Sequence, residues 1–92
     1  MTEMTHNDPQ QIAIEVLGWL ASEPELLSRF LALSGLEASN LRAAAGQPGF
    51  LVGVLSFLMT HEPTLIRFSE ASGRPPEAVA RAWRELGGGS DI

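Results

Sequence analysis

Phe50-Leu-Val-Gly-Val-Leu-Ser-Phe-Leu-Met59 is the longest apolar run of the sequence. It holds eight apolar side chains, one glycine, one serine and no charge. Wound into a helix, those side chains cover almost the whole circumference, which a helix with one face in water does not show. The stretch therefore predicts a central helix with other helices around it. It reaches only about half of the ~20 residues that a membrane span requires. Gly49 and Gly53, four apart, predict a face on which a neighbouring helix packs closely. On that reading Gly53→Leu should destabilise the fold by about 1–3 kcal/mol through overpacking.

On either side of this run, proline and glycine divide the chain into short helices. Downstream, Glu62-Pro63 restarts the chain, Leu65, Ile66 and Phe68 build a fifth helix, and Gly73 ends it. Pro75-Pro76-Glu77 opens a sixth, on which Val79, Ala82, Trp83 and Leu86 fall at i, i+3, i+4 and i+7. Upstream, Asp8-Pro9-Gln10-Gln11 reads as a capping box with proline in the first turn. Ile12, Val16, Trp19 and Leu20 then form one buried stripe. Ser22 and Glu25 suggest a second capping box, before a helix carrying Leu26, Leu27, Phe30, Leu31 and Leu33 and closed by Gly35. Glu37 to Ala45 reads as a short helix anchored by Leu41. No segment alternates with period two, so no strand is expected. The expectation is an all-α, compact bundle of five or six short helices: residues 1–7 a flexible N-terminus, 8–86 a single helical domain, 87–92 a flexible glycine-rich tail.

The second and fifth helices resemble each other beyond hydrophobicity. Glu23-Pro-Glu-Leu-Leu-Ser-Arg-Phe-Leu-Ala-Leu-Ser-Gly35 aligns with Glu62-Pro-Thr-Leu-Ile-Arg-Phe-Ser-Glu-Ala-Ser-Gly73 when one residue is skipped. Glu-Pro, Leu, Arg-Phe and Ser-Gly are shared. A duplication would give two pseudo-symmetric three-helix halves. Convergence on common helix punctuation is the alternative.

Composition excludes more chemistry than it suggests. Eleven acids against six bases give a net charge of −5, and every base is arginine. Such a chain repels a phosphate backbone unless its positive charge is gathered on one face. The absence of cysteine removes disulfides, thiolate catalysis and sulfur-based zinc sites. The first residues contain no basic and apolar leader pattern, so the cytoplasm is the expected compartment. His6 and His61 have no partner at i+4 and no metalloprotease motif around them, so no metal ligand set is expected. No serine sits in a nucleophile elbow, and Gly87-Gly88-Gly89 comes after a helix instead of opening one. Neither an enzyme nor a cofactor is expected.

Two readings of the C-terminal third remain. Phe68 to Trp83 resembles a helix-turn-helix, with Gly73 in the turn and Arg74, Arg81 and Arg84 supplying positive charge. Yet the second helix begins Pro75-Pro76-Glu77-Ala78, without a base-edge donor where reading normally occurs. The favoured reading makes Arg74, Arg81, Trp83 and Arg84 an interaction surface, with Trp83 as an aromatic anchor between arginines and a protein partner or a second copy as its target. For each tryptophan taken alone core packing is the first reading, and Trp83, flanked by arginines next to the tail, is the one that also fits an interface.

Trp19-Leu-Ala, Leu26-Leu27-x-Arg29-Phe30-Leu31, Gly35, Leu41-Arg42, Phe50-Leu51, Val54-Leu55, His61-Glu62-Pro63 and Pro76-Glu77-Ala78-Val79 together resemble a family of small alphaproteobacterial proteins of unknown function. The resemblance runs from about Pro9 to Leu86. It implies a small helical protein of the bacterial cytoplasm and carries no catalytic or binding residue with it.

Overall fold

The computed structural model describes residues 8–88. Six α-helices succeed one another: α1 (Pro9–Ala21), α2 (Pro24–Ser34), α3 (Leu41–Ala44), α4 (Pro48–Met59), α5 (Glu62–Ser72) and α6 (Pro76–Glu85), with a 3-10 turn at Ala38–Asn40 leading into α3. No strand occurs among the described residues. Residues 1–7 and 89–92, read above as parts of flexible ends, lie outside them.

Five of these helices carry proline in the first turn. There its missing N–H removes no intrahelical bond and its fixed φ already suits the helix. The capping differs from the sequence expectation. Asp8 is the N-cap of α1, but its side chain makes no capping bond, and its carbonyl accepts the Ile12 N–H at 3.0 Å. Ser22 serves the end of α1 instead of the start of α2: its hydroxyl donates to the Trp19 carbonyl at 2.6 Å, and Glu23 becomes the N-cap. The linker is so short that Ser22 still lies over the last carbonyls of the preceding helix. Gly35 and Gly73 end α2 and α5 at φ 77° and 80°, the left-handed conformation that glycine adopts without a Cβ penalty.

α1, α4 and α6 form the centre, each packed on the other two, with α2 against α1 and α4, and α5 against α4 and α6. Ile12, Val16 and Leu20 meet Leu51, Val54, Leu55 and Leu58 of α4 and Val79 and Ala82 of α6 in one core. Phe30 and Phe68 plug it from α2 and α5. Burying each such Val, Leu or Phe stabilises the fold by about 1.5–3 kcal/mol. Trp19 is half-buried and meets Phe68 edge-on, ring centres 5.5 Å apart.

The third helix is shorter than expected. Of Glu37 to Ala45 only the turn of 3-10 helix and the four residues of α3 form, and none of the α3 residues is buried. Ser39 and Asn40 compete for backbone hydrogen bonds, and Leu41 is the segment's lone large apolar side chain. α2 and α5 match in length and in their left-handed glycine ends, but the helices that follow them differ. α6 packs into the core, while α3 does not take the matching place. No described helix is long and apolar enough to cross a membrane by itself.

Candidate functional site

The four residues singled out by sequence point to different neighbours. Arg74 reaches back to α1, where Nε and Nη2 donate to the two carboxylate oxygens of Glu15 at 2.6 and 2.9 Å. These hydrogen bonds hold its pKa above the ordinary arginine value; burial works against the shift, and the Glu15 charge adds to it. The fork-on-fork geometry fixes the α5–α6 connection onto α1. The clamp is long-range, joining residues 59 apart in the sequence. Trp83 is half-buried, with its Nε1 donating to the Ser56 hydroxyl of α4 at 2.7 Å. The Gly88 N–H donates to the Trp83 carbonyl at 2.7 Å, and Gly88 lies so close to the indole that a Cβ there would collide with it. Gly87 and Gly88, read as the start of a loose tail, are thus a turn folded onto Trp83. Arg81 is exposed beside a cleft formed with Ile12, Ala78 and Glu85, and Arg84 is exposed.

A different face is open. Along α4, Gly49, Phe50, Gly53, Ser56, Phe57 and Thr60 form one stripe, and across from it stand Phe30, Leu33, Ser34 and Leu36 at the end of α2. Between them runs a groove of about 410 Å³. Phe30 is its deepest ring, edge-on to Phe50 at 5.7 Å and to Phe57 at 5.5 Å. Leu33 stands at the rim, 73% exposed. The sequence expectation for the glycines is corrected here. A Cβ at Gly49 or Gly53 would meet nothing within 4 Å, so none of the described helices packs against them. α4 is central, but one side of it is uncovered.

The polar atoms around the groove already have partners. Ser34 donates to the Leu31 carbonyl at 3.3 Å and accepts from the Leu36 N–H at 3.4 Å. Thr60 donates to the Phe57 carbonyl at 3.1 Å, and Ser56 accepts from Trp83. No charged side chain lines it. A second cleft, about 700 Å³ between α1 and α3, is walled mostly by small side chains and includes Arg42.

The sequence named Leu33 only as one of the apolar residues carried by α2 and did not announce the groove. Its one legible signal was the glycine pair, which marks an uncovered α4 face as readily as a tightly packed one. His61 caps α5 and shares a 2.7 Å hydrogen bond, through Nδ1, with the buried Thr64 hydroxyl. His6 lies outside the described residues. Among these, no group of three or more potential ligands gathers where a metal ion could sit.

No curated protein and no solved structure matches the chain. A family model does, over residues 6–89, which takes in every helix and both walls of the groove. The chain belongs to the family described as "Protein of unknown function (DUF3572)".

Proposed function

We propose that this chain is a non-enzymatic interaction module of the bacterial cytoplasm and that its docking face is the groove between α2 and α4. The observation that carries the reading is the pair Leu33 and Leu36. In the repeat these positions correspond to Ala71 and Arg74, which take the same backbone path around a left-handed glycine. Ending such a helix therefore requires no large apolar side chain at either position. A leucine left 73% exposed beside Phe50 and Phe57 has no folding role to account for it, and exposed apolar patches of this kind mark interaction surfaces. With no charged side chain in its lining, and with Ser34 and Thr60 donating to backbone carbonyls, the groove selects chiefly by apolar shape.

The test is a photo-reactive benzoyl-phenylalanine in place of Leu33 and, in a separate protein, of Ile14. Ile14 is half exposed on α1, away from the groove. Irradiation of cells producing each protein should yield a protein adduct from position 33 and none from position 14. No adduct at 33, or equal labelling at both, defeats the reading.

A further inference from the structure

Building on that docking face, we infer that its occupant is a second copy of this chain, held in a two-fold contact. A two-fold interface brings one patch against itself, so the patch must contain both a projection and the recess that receives it. This face has both. Leu33 projects from its rim, and the α4 surface over Gly49 and Gly53 is a recess with open space above each glycine. Each Leu33 can enter the partner's recess, where the bare glycine backbone permits close approach.

Charge supports the same occupant. Arg29 and Glu37 stand four residues before and four after Leu33, both exposed. Among the described residues neither joins an ion pair, whereas the repeat counterpart of Arg29, Arg67, binds Glu23 at 2.9 Å. Arg29 lies one helical turn before Leu33, and Glu37 lies just past the helix-ending Gly35, so a two-fold contact centred on Leu33 offers each of these exposed charges an opposite one on the partner subunit. Each copy has a net charge of −5, but no charged residue lines the contact centre. Charges elsewhere on the two surfaces are screened beyond about 10 Å at 0.1 M salt.

The experiment is sedimentation equilibrium of the full chain over about two decades of micromolar concentration. The wild type should show a monomer–dimer equilibrium. Leu33→Arg and Gly53→Arg should each weaken it about tenfold or more while the helical circular dichroism and melting temperature stay near wild type. Since the chain has no cysteine, a second measurement does not depend on how the arginine variants fold. Leu33→Cys and Gly53→Cys proteins, mixed and oxidised, should form the mixed disulfide faster than Leu33→Cys does with Ile14→Cys. A wild type that stays monomeric throughout overturns the inference. So does a dimer that neither arginine variant weakens, or a 33–53 disulfide no faster than the control. A monomeric wild type whose position 33 still photolabels another protein would leave the docking face standing and assign it a foreign helix. Dye or fatty-acid binding without protein adducts would defeat both readings.

Discussion

The helix from Glu23 to Gly35 and the helix from Glu62 to Gly73 are built alike and finished differently. Both begin with Glu-Pro, bury a phenylalanine after an arginine, and end on a left-handed glycine. In both, a serine before that glycine accepts the N–H of the residue after it, Leu36 onto Ser34 and Arg74 onto Ser72. After α5 the chain continues into α6, which enters the core, and Arg74 locks the junction to Glu15. After α2 it makes only a 3-10 turn and one turn of α-helix, which lie beside α1, and Leu33 and the glycine side of α4 stay uncovered. Identical helix punctuation gives a closed corner in one half and an open groove in the other. The difference lies in the segment that the chain forms beyond each glycine.

The largest effect should come from the two phenylalanines. Phe68→Ala removes a ring enclosed on all sides and should cost about 3–5 kcal/mol by urea unfolding. Phe30→Ala should cost less, because its vacancy opens into the groove and can fill with water or collapse. An equal or greater loss at Phe30 would mean that the first half is as closed as the second. Next in size, Trp83→Ala should cost about 3 kcal/mol. Trp83→Phe, which keeps the packing but not the bond to Ser56, should lose about 1 kcal/mol. A negligible loss on thermal melting of either variant would show that α6 is not pinned to α4 as described.

Smaller effects sharpen the contrast by exchanging the residues after the glycines. Arg74→Leu should destabilise by about 1–2 kcal/mol, since the partly buried Glu15 loses its fork partner. Leu36→Arg should stay within about 0.5 kcal/mol of wild type. If both swaps cost the same, the two corners are equivalent after all. The smallest change should be a gain: Gly53→Ala adds helix propensity in open space and should stabilise by up to about 1 kcal/mol in denaturant melts. A loss there would restore the close helix contact that the sequence suggested.

These contrasts also show what could be read from sequence. The punctuation is local: proline fixes φ, glycine admits positive φ, and each acts within a turn of itself. Helix number, the Val79–Ala82 stripe and the central place of α4 were legible for that reason. Partners were not. Arg74 finds Glu15 across 59 residues, and Trp83 finds Ser56 across 27. Nothing near either residue announces the match. The groove was hidden because it depends on how α2 and α4, more than a dozen residues apart in sequence, are set against each other, which no local pattern announces. Gly49 and Gly53 were visible, but small residues on an apolar helix permit either a tight neighbour or none.

The bond from Trp83 to Ser56 gives the groove an optical reporter. Ser56 lines the groove on one side and holds the indole N–H on the other, so whatever settles on that edge changes the electrostatic surroundings of the ring. Indole emission is sensitive to such a change. The second tryptophan, Trp19, stacks edge-on against Phe68 and takes no part in lining the groove. Its emission should serve as an internal reference. Occupancy of the groove could then be tracked from the ratio of two native chromophores, without attaching a label to the surface under study.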